Sequence, residues 1–393
     1  MLIAAARIIT ASGRFSGTNT VLAPGYLTCK DGKIVAVNAG LPSSRPDVQL
    51  SEGFLLPGFI DLQVNGYFGV ELAGAGADGF ATVARRLPET GTTSFMPTFI
   101  TSPIEHLAAM LRHSAAVMPE LARNPRLARV LGIHLEGPFI SPRRAGAHNL
   151  AWIAAPDSTA VETLIEAGAG IVKLVTMAPE LDGAMAAIKQ LTAAGVLVSV
   201  GHSDATAQQV SSAALCGAAM VTHLFNAQRP MHHREPGVVG QALADNRLTS
   251  SLIADLHHVT GQVAAIAFAA APGRICLVTD AAACAGMPPG TYLLGGEPIE
   301  LPGGDGAPPV RADGTFAGSA LRMDSAVANM VATGIGLADA VAAATRIPAD
   351  LIGRRDLGRL APGAAADLAW LSDDLRTVAT WVDGHQVYGP HLA

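Results

Sequence analysis

The sequence predicts an α/β fold: a (β/α)8 TIM-type barrel joined to a small β-sandwich. Three observations carry this. Between residues 59 and 279, eight short apolar runs alternate with Ala-rich helical stretches. The runs are apolar throughout, as parallel strands buried on both faces must be. Both ends of the chain, by contrast, read as short strands separated by turns.

The barrel strands are expected at Phe59–Val64, Thr93–Ile100, Val130–Leu135, Val172–Met177, Leu197–His202, Val221–Phe225, Leu252–Leu256 and Ile275–Thr279. Helical patterns fall between them, among them Glu105–Arg123, Leu181–Ala194, Ala207–Cys216 and Gly261–Ala271. Thr291–Leu301, with Gly295-Gly296 inside it, reads as a hairpin inserted after the eighth strand. Met323–Thr333 and Leu337–Arg346 are late helices. At the N-terminus, Leu2–Thr10 is one apolar run, and Tyr26–Cys29 and Ile34–Val37 flank an Asp31-Gly32 turn. Asp383-Gly384 marks a second turn between apolar runs near the C-terminus. Residues 1–57 and 359–393 are therefore expected to pair as the small domain, and 58–358 to form the barrel.

Bulk properties narrow the function. With 393 residues, 50% of them hydrophobic, the chain can bury a large core. A net charge of −6 argues against nucleic acid as a partner. Mean hydropathy is +0.35, yet the most apolar stretches, such as Val263–Ala271, are too short to span a bilayer. Met1–Ala6 lacks a basic leader and Arg7 interrupts it, so it reads as a strand rather than a signal peptide. The four cysteines form no C-x-x-C pair, which suits reduced thiols in a cytoplasmic protein.

The chemistry gathers at the strand ends. Glu136 follows the third strand, His202 closes the fifth, His223 lies in the sixth and Asp280 follows the eighth. The C-terminal ends of barrel strands converge on one mouth, where active sites sit. Two imidazoles and a carboxylate suit Zn²⁺ or Fe²⁺ with one position left for water. A metal of that kind lowers the pKa of its water to about 7, and Asp280 is placed to exchange the proton. His134, two residues before Glu136, is either a supporting partner or a packing residue.

Nine segments then resemble the N-acetylglucosamine-6-phosphate deacetylases of the amidohydrolase superfamily, along nearly the whole chain. They are Pro57-Gly58-Phe59-Ile60-Asp61, His134-Leu135-Glu136-Gly137-Pro138, Gly146-Ala147-His148-Asn149, Gly201-His202-Ser203, Thr222-His223-Leu224-Phe225-Asn226-Ala227, Arg234-Glu235-Pro236-Gly237, Ala254-Asp255, Val278-Thr279-Asp280-Ala281 and Ala317-Gly318-Ser319. The first is common to the superfamily; the Glu-Gly-Pro, His-Asn and Arg-Glu-Pro-Gly segments are specific. The resemblance implies metal ligands at Glu136, His202 and His223, and Asp280 as general base and then acid. It implies substrate contacts from Ala147, His148, Asn226, Ala227, Asp255 and the loop Phe316-Ala317-Gly318, with His148 on the sugar or the acetyl carbonyl. Arg234 and His258 would take the phosphate. Arg234 would do so in the neighbouring subunit's site, so a homodimer is implied.

Two departures from the pattern stand out. Many superfamily members carry His-x-His on the first strand for a first metal; here the residues are Gln63-Val64-Asn65. One divalent metal per subunit is expected, Zn²⁺ foremost, with Fe²⁺, Mn²⁺ or Co²⁺ as alternatives, and Gln63 would hold its water. Where relatives have Asp-Gly-x-His, this chain reads Asp255-Leu256-His257-His258, and leucine is not expected to take glycine-only backbone conformations. Lys173 on the fourth strand is read as structural rather than as a bridging carboxylated lysine.

The expected reaction is hydrolysis of N-acetylglucosamine 6-phosphate to glucosamine 6-phosphate and acetate. Alternatives are a deacetylase of another N-acetylated sugar, such as N-acetylgalactosamine 6-phosphate, or a D-aminoacylase-like or dihydropyrimidinase-like amidohydrolase. A catalytically dead scaffold is the alternative outside enzymes, and the presence of all three ligands and Asp280 speaks against it.

Overall fold

The computed structural model describes residues 1–13, 21–303 and 306–392. Its central sheet consists of parallel strands in the order of the chain. These are Phe59–Val64, Thr92–Ile100, Ile133–Glu136, Val172–Met177, Leu197–Val200, Met220–Val221, Thr249–Ile253 and Ile275–Val278. A two-residue strand, Arg129–Val130, also pairs with the second. The sheet closes where the first and last strands meet: Val64 bridges Ala281, and the Asp280 amide donates to the Gln63 carbonyl at 2.9 Å. Helices Ile104–Leu121, Ala184–Ala193, Ala207–Cys216 and Gly261–Ala270 lie where the periodicity places them. Ala207–Cys216 opens on a capping box between Thr206 and Gln209, which satisfies two otherwise orphaned amides. No helix among the described residues is long and apolar enough to cross a membrane.

The expected strand ends run too far. The fifth stops at Val200, the sixth at Val221 and the seventh at Ile253. The backbone turns left-handed soon after each of these ends, with φ of 46° at His202, 30° at His223 and 66° at Leu256, and again at Asp280 with 53°. The left-handed residues themselves are not glycines, and only the first turn has one beside it, Gly201, so side-chain pattern alone does not reveal them.

The terminal segments build two sheets that face each other. One holds Lys33–Ala39, Gly25–Lys30, Leu2–Ala5 and Val48–Leu50. The other runs His385–Tyr388, Thr377–Val382, Leu368–Leu371, Phe54–Pro57, Ile8–Ile9 and Val21–Leu22. The run expected at Leu2–Thr10 thus breaks at Ala6-Arg7 and feeds both sheets. Ile3, Leu27 and Val48 from the first pack with Ile8, Leu55 and Trp381 from the second. Pairing of Phe54–Pro57 with Leu368–Leu371 joins the two chain ends directly.

Arg129 ties this unit to the barrel. Its guanidinium reaches Asp367 at 3.3 Å and Asp383 at 3.0 Å. Asp367 is only 4% exposed, so loss of its partner strands a buried charge. Arg129→Ala is expected to lower unfolding stability by about 3 kcal/mol. Adding Asp367→Asn should recover part of the loss. Denaturant midpoints of the three proteins check this.

Candidate active site

The left-handed turns aim the strand-end side chains into one cavity of about 340 Å³ at the barrel mouth. Glu136 is its centre. Its Oε1 lies 2.9 Å from His223 Nε2 and 3.3 Å from His202 Nε2, and the two ring nitrogens are 3.1 Å apart. His148 Nε2 stands 3.8 Å from the other carboxylate oxygen. Glu136 thus belongs to two overlapping groups of metal-type donors, one completed by His223 and the other by His148.

Backbone contacts separate them. His202 Nδ1 is 2.8 Å from the Arg144 carbonyl oxygen, so Nδ1 carries the hydrogen and Nε2 presents a lone pair to Glu136. His148 Nδ1 instead receives the Thr101 amide hydrogen at 3.3 Å. Its hydrogen is therefore on Nε2, which donates and cannot ligate while neutral. Burial and the neighbouring His202 push His148 down to about 3, which keeps it neutral. Glu136, His202 and His223 are the coherent donor set, and His148 stands beside it as a hydrogen-bond donor.

That set fits a metal. A lone pair on His202 and a carboxylate oxygen face each other, an arrangement that only a cation or a proton between them relieves. Tetrahedral ligands about 2.0–2.2 Å from Zn²⁺ lie roughly 3.3 Å apart, which is close to the spacings found. Burial opposes charge on Glu136, yet its bonds to His202 and His223 hold it well below the ordinary carboxylate range. Burial likewise opposes charge on His223, and the Glu136 contact overcomes it and raises His223. A divalent metal would displace that proton.

Gln63 and Asn65 point their amide N–H groups at the carboxylates. Gln63 Nε2 donates to Glu136 Oε1 and Asp280 Oδ1, each at 3.0 Å, and Asn65 Nδ2 donates to Asp280 Oδ1 at 2.7 Å. Amides facing this way cannot also ligate a second metal through the same atoms. Gln63 Oε1 is buried and has no hydrogen-bond partner. Burial and the charge of Glu136 push Asp280 up to about 6, a value suited to proton exchange near neutral pH.

The other expected residues are mostly in place. Ala147, His148, Asn226, Ala227, His258, Phe316 and Gly318 line the cavity, and Ala317 is buried behind it. Asn226 caps no helix; its amide closes a turn onto His223 O at 2.9 Å. Gly318 has φ 67°, and a Cβ there would meet the Asp280 carbonyl at 2.8 Å. Asp255 Oδ2 holds His258 Nδ1 at 2.6 Å, while Oδ1 accepts the amides of His257 and His258. Leu256 corrects the sequence expectation: it adopts φ 66°, the glycine-like conformation, despite its side chain. The strain is about 1 kcal/mol, and the turn that presents His258 survives.

Arg234 does not reach its own cavity and sits exposed in a loop. Its neighbour Glu235 pairs with Arg229, not with Arg234. His134 is a packing residue: Thr98 and Thr176 hydroxyls take its two nitrogens, and burial pushes it down to about 4. Lys173 is exposed near the far end of the fourth strand. Residues overlooked from sequence are Asn65 and Thr101 as polar partners, and Arg311, which donates to the Ala147 carbonyl at 2.7 Å. Asn65 was legible, since it shares a strand face with Gln63. The hairpin Gly290–Leu294 and Glu297–Leu301 also closes over the mouth, packing Leu294, Ile299 and Leu301 on Ile100 and Ala317.

Comparison with known proteins agrees. The model of the amidohydrolase family matches residues 54–387. The chain belongs to the amidohydrolase family. It is 40% identical over 347 residues to human N-acetylglucosamine-6-phosphate deacetylase, covering 85% of this chain and 83% of the relative. It is 37% identical over 363 residues to N-acetylgalactosamine-6-phosphate deacetylase of Escherichia coli O157:H7, covering 91% and 93%. Among solved structures, a mutant Mycobacterium smegmatis N-acetyl-D-glucosamine-6-phosphate deacetylase in complex with N-acetyl-D-glucosamine-6-phosphate superposes with a TM-score of 0.91. That pair is 35% identical, over 98% of this chain and 99% of the other. This amidohydrolase thus shares its barrel and its accessory sheets with enzymes that cleave amides.

For this amidohydrolase, Zn²⁺ added to chelator-treated protein is expected to raise the melting temperature. Saturation at a hundredfold the Kd corresponds to about 2.7 kcal/mol. Glu136→Ala should abolish the shift. A shift of equal size in that variant would place the metal elsewhere.

Proposed function

We propose that this amidohydrolase removes the acetyl group of N-acetylglucosamine 6-phosphate, releasing acetate and glucosamine 6-phosphate. The observation that carries this is the pairing of Asp280, held by Gln63 and Asn65, with the Nε2–H of His148 across the Glu136–His202–His223 cluster. The names of the relatives at 35–40% identity support the substrate, as does the ligand in the M. smegmatis complex.

Glu136, His202 and His223 would hold one divalent metal per subunit, most naturally Zn²⁺, which supplies Lewis acidity and a more acidic water. The rest is the work of the chain. Gln63 Nε2–H holds Asp280 and Glu136 in place beside the attacking water. Asp280 takes the water's proton as the bond to the acetyl carbon forms. His148 Nε2–H donates to the carbonyl oxygen as negative charge develops there. Asp280 then delivers the proton to the nitrogen, and the amine leaves. Asn226 and Ala227 hold the sugar, with the Phe316–Gly318 loop above it.

The phosphate needs a cation that the cavity lacks. Among the described residues, no Lys or Arg lines it, and His258 is the polar group at its Phe316 side. We infer that Arg234, exposed on its loop, reaches the phosphate in a second copy of the chain. The working unit is then a homodimer. All four cysteines are free, as a reducing cytoplasm would keep them. We also place the division between the two domains at residues 57/58 and 358/359, after the strand Phe54–Pro57 and between the helix Arg346–Leu351 and the strand Leu368–Leu371.

Acetate release decides the substrate. N-acetylglucosamine 6-phosphate should exceed the free sugar, its N-acetylgalactosamine 6-phosphate epimer and N-acyl-D-amino acids in kcat/KM. Faster release from any of these overturns the assignment. Asp280→Asn should bind metal normally and lose about 10²–10⁴-fold in kcat; near-normal turnover removes it as acid and base. Arg234→Ala and Asp280→Asn homodimers should both be impaired. Co-refolded mixtures should regain activity, because one site of each heterodimer is intact. Failure to regain it places Arg234 outside the neighbouring site.

A further inference from the structure

Resting on that reading, we propose that the Thr101 hydroxyl is a positioning element that locks the His148 tautomer favoured by the Thr101 amide, and so keeps this histidine a donor to substrate rather than a fourth metal ligand. Thr101 follows the second barrel strand and is 1% exposed. Its Oγ1 lies 2.7 Å from His148 Nδ1, and its amide nitrogen lies 3.3 Å from the same atom. The Glu136 carbonyl is the other acceptor near the hydroxyl, at 3.4 Å. The amide hydrogen already points at Nδ1, so Nδ1 has no hydrogen to give. The hydroxyl therefore turns its own hydrogen toward Nδ1, the nearer acceptor. Both donors fall on one lone pair, and the shorter bond belongs to the hydroxyl.

The surroundings hold the threonine in this pose. Gly137 has φ 89°, and a Cβ there would sit 2.1 Å from Thr101 Oγ1. The hydroxyl thus fills the space that the glycine leaves, directly after Glu136. On its other side His148 packs edge-on against His202, with ring centroids 4.3 Å apart.

The consequence follows from proton placement. His148 and His202 are neighbours around the same carboxylate, yet one faces a backbone N–H and the other a backbone C=O. With the Thr101 hydroxyl gone, only the longer amide bond restrains His148 Nδ1. The hydrogen can then move to Nδ1, and Nε2 becomes a lone pair beside Glu136 Oε2. That tautomer withdraws the donor from the acetyl oxygen and adds an imidazole to the metal site.

Thr101→Val keeps the shape and the amide while removing the hydroxyl. It is expected to lower kcat about 10- to 100-fold, with KM changed less than about threefold and metal content at the wild-type level. Thr101→Ser should restore kcat. Ring ¹⁵N shifts of metal-free protein labelled at histidine, with His148→Gln for assignment, give a reading that needs no substrate. Wild type should show a pyridine-type Nδ1 and a pyrrole-type Nε2 for His148, and Thr101→Val should mix or reverse them. A wild-type His148 protonated at Nδ1, or a Thr101→Val protein with unchanged shifts and unchanged kcat, overturns the proposal. Were acetate release to fail on every sugar while the shifts came out as expected, the substrate assignment would fall and the tautomer assignment would stand.

Discussion

Three metal-type donor atoms crowded around one point organise this molecule. Glu136 Oε1, His202 Nε2 and His223 Nε2 lie within 3.3 Å of one another, deep in the mouth of the barrel. Such a cluster repels itself unless a proton or a cation sits among its members. Everything nearby follows from holding it together. The Arg144 carbonyl fixes the His202 lone pair inward. The Gln63 amide places its N–H groups between Glu136 and Asp280, and Asn65 donates to Asp280, so that two buried carboxylates can lie close together.

The scaffold meets this demand with local strain. His202, His223 and Asp280 all take left-handed backbone conformations, and each follows a strand buried on both faces. Strain of this kind concentrates at functional sites and is offset by the packing beneath it. Here the support includes a chain of hydroxyls inside the barrel, in which Thr222 bonds Thr176 at 2.7 Å and Ser199 at 2.6 Å. Below Asp280, Asp61 takes the hydroxyl of Thr279 at 2.5 Å and its amide at 3.2 Å, which pins the strand end that carries Asp280. The shared motif at Pro57–Asp61 thus has a physical job: its aspartate braces the last strand from the first.

The barrel was legible because strands buried on both sides leave uninterrupted apolar runs, and because Ala-rich helices between them leave a different period. The four main site residues were legible because each lies at or just past a strand end. The turns after Val200, Val221 and Ile253 were not, because histidine and leucine carry no signature of left-handed φ. Leu256 is the clearest case, as it takes the very conformation that its side chain disfavours. The contrast between His148 and His202 was equally hidden in the residues alone. It depends on whether a ring nitrogen meets an N–H from Thr101 or a C=O from Arg144, and those groups lie 47 and 58 residues away. Arg234 shows the limit from the other side: it sits exposed in a loop, away from the cavity of its own chain.

The central claim is that one metal sits among Glu136, His202 and His223, with His148 and the first-strand amides outside its ligand shell. Anomalous diffraction from crystals grown with Zn²⁺ tests it most directly. One peak is expected about 2.0–2.2 Å from Glu136 Oε, His202 Nε2 and His223 Nε2, with His148 Nε2 beyond bonding distance. A peak that takes His148 in place of His223, or a second peak on Gln63 and Asn65, would contradict it.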